Sequence, residues 1–144
     1  MSHSAALSHT PTQGRSASAL ADAVPLAGRA LLSAIFVISG ASKLAAPAAT
    51  IGYIESAGLP LASFGFVLAV IVEVLGGLAL IAGYRTRLVA AGLAAFTLAT
   101  ALAFHANLAD QNQFIHFFKN LAMVGGLLQV VAFGAGRFSL DARR

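Results

Sequence analysis

The chain has 144 residues, of which 58% are hydrophobic and 10% charged, against roughly 45–50% apolar and about 25% charged in soluble domains, so lipid is the expected solvent. It has no cysteine, which excludes disulfides, cysteine-ligated iron–sulfur clusters and electron shuttling through its own thiols. The formal charge of +4 and pI of 10.4 do not point to nucleic acid, because the basic residues gather at segment ends and form no continuous stripe.

From the N-terminus, Met1 to Asp22 is rich in serine and alanine and lacks apolar periodicity. Residues 1–23 are therefore predicted to form a disordered cytoplasmic tail. Arg15 and Asp22 interrupt this stretch before the first apolar run, so that run is expected to be retained rather than cleaved as a secretory signal. His3 and His9, isolated in the tail, are assigned no metal role.

A helix crosses the hydrocarbon core with about 20 apolar residues, and the chain supplies four such stretches. These are Val24–Leu44, Leu61–Tyr84, Leu88–Ala106 and Phe114–Phe133. Pro47 and Gly58-Leu59-Pro60 bracket the first loop, Arg85-Thr86-Arg87 makes the second, and Asn107 to Gln113 makes the third. Ile51, Tyr53 and Ile54 beside Glu55 suggest a short interfacial helix within the first loop. Residues 137–144 are expected to form a cytoplasmic C-terminal tail. Seven arginines (15, 29, 85, 87, 137, 143 and 144) fall on one side of the spans and two lysines (43 and 119) on the other. This bias places both termini in the cytoplasm. The predicted fold class is all-α, an integral membrane four-helix bundle over residues 24–136.

Ionisable side chains inside a span cost about 2.5–3.5 kcal/mol each on insertion scales and usually face the bundle interior. In the first span Arg29, Ser33, Phe36, Gly40 and Lys43 recur at helical spacing and define one inward face. In the second, Glu73 is followed one turn later by Gly76 and Gly77, which permit close helix approach. Gly125 and Gly126 in the fourth span suggest the same. Counting about 1.5 Å of rise per residue from the outer helix ends puts Arg29 and Glu73 at similar depth and predicts that they pair.

A second cluster is expected at the outer end, where Lys43 and His105 close the first and third spans and His116, Lys119 and Asn120 open the fourth. His116, Lys119, Asn120 and Met123 share one helical face. A pocket ringed by basic and amide groups would suit a quinone or a small anion; snorkelling lysines and capping histidines are the plainer explanation. Axial haem ligation by His105 and His116 is disfavoured, because the predicted faces carry too many small residues to enclose a macrocycle. No serine has the carboxylate and histidine spacing of a nucleophilic triad.

Taken in order, Gly28-Arg29, Phe36-Val-Ile-Ser-Gly40 with Lys43, Glu73-Val-Leu-Gly-Gly77, Gly83-Tyr-Arg85, His105, and Lys119-Asn120-Leu-Ala-Met-Val-Gly125-Gly126 resemble the DoxX family over Val24 to Phe133. The resemblance implies a four-helix, multi-pass inner-membrane protein, similar to the membrane subunit of thiosulfate:quinone oxidoreductases and to small proteins associated with redox complexes. It makes Arg29, Lys43, Glu73, His105, Lys119 and Asn120 candidates for a polar interior site. Three functions follow: a membrane subunit of quinone-linked redox chemistry that docks a redox partner, a non-catalytic anchor or assembly factor, and an oligomeric small-solute or proton transporter. The expected partners are the lipid bilayer, redox-complex subunits and further copies of the chain, with no nucleic acid. Quinone is the one candidate cofactor and no metal is expected.

Overall fold

A computed structural model describes the backbone of residues 13–144 and the side chains of residues 19–144. Helix α1 covers Gln13–Ala45, α2 Pro47–Ser56, α3 Ala62–Ala82, α4 Thr86–Phe104 and α5 Gln111–Phe133. A single 3-10 turn, Asp141–Arg143, follows. Helices α3, α4 and α5 and the Ala19–Ala45 part of α1 are each long and apolar enough to cross a membrane.

The first helix starts well before the predicted Val24 and includes Pro25 in its interior. Gln13–Asp22 is therefore helical, not part of an unstructured tail; alanine supplies enough helix propensity to extend the span backward without an apolar face. The tail expectation for residues 1–12 lies outside the described residues. At α5 the predicted start moves back from Phe114 to Gln111, because the Asp110 carboxylate accepts the Gln113 amide at 2.9 Å and caps the helix. The short helix expected in the first loop is present as α2, with Pro47 at its first turn.

The bundle has an apolar outer surface around an interior in which Phe36, Leu80, Leu93 and Leu127 pack together with several buried polar groups. Leu31, Ile38, Phe64, Leu75 and Phe133 face outward, whereas Arg29, Ser33, Glu73, Thr97 and Asn120 are buried. Helix α1 packs on α3, α3 on α4, and α4 on α5, while α5 returns to touch α1. Glycines set three of these approaches. A Cβ on Gly40 would lie 2.6 Å from Val74 Cγ2, one on Gly77 would lie 2.8 Å from Val37 Cγ2, and one on Gly76 would lie 3.0 Å from Leu93 Cδ2. Gly126 faces Leu32 at 3.1 Å. Gly125 differs from the expectation that it packs a helix: nothing lies within 4 Å of its Cβ position, since it sits on the outward face of α5.

Both described ends of the chain lie at the same end of the bundle, here called the terminal end; α2 crosses the opposite, loop end. After α5 the chain forms a strap across the terminal end. The Leu140 amide donates to Ala82 O at 3.0 Å and the Asp141 amide to Gly83 O at 2.9 Å. The strap is further tied by Arg137 to Asp22 at 3.0 Å. Residues 137–144, expected as a C-terminal tail, are thus docked on the bundle.

Candidate functional site

The register of α1 against α3 decides which charges meet. Gly40 is level with Glu73, Gly77 with Ser33 and Phe36, and Gly83 with Arg29. Glu73 is therefore about 11 residues along α1 from Arg29, or roughly 16 Å at 1.5 Å per residue. The predicted Arg29–Glu73 pair does not form. The depth count assumed that α1 and α3 end level, but α3 begins roughly 10 Å beyond the end of α1. Its first turns run beside α2, where Ile54 packs within 3.8 Å of the Cβ position of Gly65.

Glu73 instead pairs with Lys43. The Lys43 ammonium donates to both carboxylate oxygens at 2.9 Å and to Ser39 Oγ at 2.7 Å. Ser39 in turn donates to Glu73 Oε1 at 3.2 Å. With three donors and three acceptors in place, the ammonium is saturated. The Glu73 side chain is 8% exposed and that of Lys43 25%, so the carboxylate is the more deeply committed partner.

Arg29 lies 1% exposed at the terminal end. It donates to Leu80 O at 3.2 Å, Ile81 O at 3.3 Å and Phe138 O. Two of these carbonyls belong to the last turn of α3, which carries the negative end of the helix dipole; Leu80 O also accepts the Gly83 amide at 3.2 Å. The guanidinium thus closes α3 and holds the strap. It takes no part in the loop-end site, despite being grouped with the polar interior residues in the sequence.

The loop end contains a cavity of about 490 Å³. Lys43, Glu73, His105, Lys119, Asn120 and Met123 all line it, so five of the expected polar residues meet there from α1, α3, α5 and the end of α4. His116 stands behind His105 instead of facing the cavity: the two rings stack with centroids 5.0 Å apart and planes 22° apart. That face-to-face contact leaves no space for an iron between them. His105 Nδ1 is hydrogen-bonded to Gln113 Oε1 at 2.9 Å, with the ring nitrogen as donor. Lys119 Nζ donates to His116 Nδ1 at 2.9 Å.

Several lining residues were not expected at this site. Tyr53 of α2 stacks on Phe104 of α4 at 5.3 Å and 18°, which lays α2 across the cavity as a cover. Thr97 is 2% exposed, and its hydroxyl is spent on Leu93 O at 2.7 Å. Ser39 was discoverable, since it precedes Lys43 by one helical turn. Asn120 differs from all of these groups: it is 8% exposed and its amide makes no hydrogen bond among the described residues. The walls between the polar groups are apolar, formed by Ile35, Phe36, Leu68 and Phe96. Ile35 and Leu68 are also exposed on the outer surface, so the cavity wall is continuous with the lipid-facing side.

The DoxX family model matches residues 24–106, which span α1 through α4 and include Lys43, Glu73 and His105. The inner membrane protein YqjF of Escherichia coli K12 is 38% identical over 122 residues, covering 85% of this chain and 92% of the relative. The inner membrane protein YphA of the same organism is 31% identical over 123 residues, covering 82% and 88%. No solved structure matches. A bundle of four membrane-length helices, matched by this family model and by these two relatives, belongs to the DoxX family of inner-membrane proteins.

Proposed function

We propose that the loop-end cavity binds the head group of a membrane quinone, and that the chain is a membrane component of quinone-linked redox chemistry that docks a separate redox partner. The observation that carries this reading is the Asn120 amide, 8% exposed, which lines the cavity beside Lys43, Glu73, His105 and Lys119 and makes no hydrogen bond among the described residues. A quinone carbonyl is an acceptor without charge, and an amide N–H meets it without stranding an ion in hydrocarbon.

The remaining groups fit the same ligand. At about 490 Å³ the cavity falls within the usual range of small-molecule sites, roughly 300–1,000 Å³. The stacked Tyr53 and Phe104 rings offer a flat apolar surface, and the wall at Ile35 and Leu68 offers a path for an isoprenoid tail into lipid. A small anion is less well served, because the Lys43 ammonium is already neutralised by Glu73 and Lys119 is the one lining cation with protons to spare. A bound quinone would accept and release electrons, and a chain without cysteine must exchange them with a partner.

The test is mass spectrometry of lipids extracted from the full chain after purification in mild detergent, alongside Asn120→Leu. A stoichiometric quinone on the wild type, reduced several-fold in the variant at equal protein recovery, is expected. Wild-type protein that carries no quinone after isolation from quinone-replete membranes refutes the reading.

A further inference from the structure

The terminal end carries a second concave site, unrelated to the loop-end cavity. An open cleft of about 630 Å³ lies between the α3–α4 turn and the strap. Arg85, Arg87 and Arg144 line it together with one acidic side chain, that of Asp141, a carboxylate. That carboxylate is committed: its two oxygens accept the Arg85 and Thr86 amides, each at 2.8 Å. None of the three arginines forms an ion pair among the described residues, whereas their neighbour Arg137, outside the cleft, is paired with Asp22.

Two further features suit a phosphate. Thr86 is 1% exposed, lies at the floor of the cleft, and its hydroxyl has no hydrogen-bond partner among the described residues. The Arg87 guanidinium lies across Gly134, whose Cβ position would be 3.4 Å from Arg87 Nε. Gly134 has φ 82° and ψ −163°, a backbone region essentially confined to glycine, so no side chain covers that wall. Guanidinium groups grip phosphate oxygens with paired N–H donors.

The depth of the cleft distinguishes a lipid from free phosphate. Leu88 and Phe133 also line it; they are 67% and 80% exposed and stand at the ends of the membrane-length segments of α4 and α5. The basic groups therefore sit directly beside lipid-facing side chains, at the level of headgroups. We infer that this cleft is a binding site for the phosphate of an anionic phospholipid, held by Arg85, Arg87 and Arg144, with its acyl chains along Leu88 and Phe133.

Native mass spectrometry of the full chain in detergent, titrated separately with phosphatidylglycerol, phosphatidylcholine and inorganic phosphate, tests this site. Phosphatidylglycerol is expected to bind several-fold tighter than phosphatidylcholine, and millimolar inorganic phosphate is expected to displace it poorly. Arg87→Gln should weaken phosphatidylglycerol about fivefold, and adding Arg144→Gln about fivefold again. Arg143→Gln, with equal charge loss at the same end of the bundle but outside the cleft, should leave the affinity unchanged. The lipid-free melting temperature reports whether each variant folds; if Arg87→Gln melts early, Arg144→Gln alone carries the comparison. Equal loss in Arg143→Gln overturns the site in favour of diffuse charge attraction. Equal affinity for phosphatidylcholine overturns the anionic preference, and displacement by phosphate at the lipid's own affinity overturns the lipid assignment.

Discussion

Removing Lys43 and removing Glu73 should have unequal effects, and removing both should cost far less than the sum. Lys43→Met leaves the Glu73 carboxylate 8% exposed with Ser39 as its remaining donor. Breaking a buried pair by deleting one partner typically costs about 3–5 kcal/mol. Glu73→Gln leaves Lys43, which is 25% exposed and has a four-carbon stem that can carry its ammonium toward the headgroups, so about 1–2 kcal/mol is expected. The double variant strands no charge and should cost about 2 kcal/mol, mostly lost packing and hydrogen bonds, which implies a coupling of roughly 3 kcal/mol. At about 3–4 °C per kcal/mol for a chain of this size, the double variant should melt roughly 10 °C above the additive expectation. The chain has no tryptophan, so unfolding in detergent is best followed by far-ultraviolet circular dichroism. Strict additivity of the two single losses refutes the pairing. The same experiment on Arg29→Met with Glu73→Gln has the opposite expectation: the two groups lie about 16 Å apart along the helices and share no partner, so their effects should add within about 0.5 kcal/mol.

Four further outcomes are expected. Single cysteines at Ser2, Ser56 and Arg144 should react with a membrane-impermeant thiol reagent in intact cells only at Ser56, if the arginine bias places the terminal end in the cytoplasm; labelling at either terminus reverses the orientation. The Asp141 carboxylate is held below the ordinary carboxylate range, first by the hydrogen bond from the Thr86 amide, then by the adjacent Thr86 hydroxyl and the Arg85 amide. Because its folded pKa is depressed, its contribution to strap docking is present at neutral pH and is lost as pH falls through and below that range; hydrogen exchange at the Leu140 and Asp141 amides should accelerate there, and Asp141→Asn should show the acceleration already at neutral pH. Gly77→Val drives a side chain into Val37 and the Ser33 carbonyl and should cost about 1–3 kcal/mol, whereas Gly125→Ala should stay within about 0.5 kcal/mol, both read as melting temperature. Gly83→Ala should destabilise more than Gly125→Ala, since Gly83 has φ 69° and its Cβ position is occupied by Arg29 and Ser139; release of the strap should appear as proteolysis after α5.

The inward face of α1 was legible because it depends on helical period alone: Arg29, Ser33, Phe36 and Gly40 are all buried, with Lys43 half-buried at the end of the row. So was the gathering of Lys43, His105, Lys119 and Asn120, since each stands near the same end of its span. The register between α1 and α3 was not legible. It depends on how α2 folds over the loop end and lets α3 begin beyond α1, and no periodicity encodes that offset. The strap was invisible for a different reason. It is held mainly through backbone groups at Phe138, Leu140 and Asp141, and main-chain hydrogen bonds leave no side-chain pattern to read. Asp141 resembles any other charged residue near a chain end until its carboxylate is seen on the first amides of α4.

Arg29 and Lys43 show two ways to keep a cation inside a lipid-facing bundle, and the difference bears on function. Arg29 is solvated by the carbonyls that end α3 and by Phe138, uncharged backbone groups that tie helix to strap, so its consequence is structural. Lys43 is neutralised by a carboxylate that lines the same cavity as Asn120 and Lys119. A ligand entering there meets an ion pair whose geometry depends on Ser39 and on the cover formed by α2. The family match reinforces this division, since residues 24–106 contain both cations and Glu73 but stop before α5. The ion pair is thus part of the family's matched region, while the unspent amide comes from the helix beyond it. If the cavity binds a quinone, α5 supplies the donor that holds the head group, and Lys43–Glu73 supplies the charged surroundings in which it is held. Asn120→Leu should therefore remove the ligand without lowering the melting temperature of the lipid-free bundle, whereas Lys43→Met should lower both.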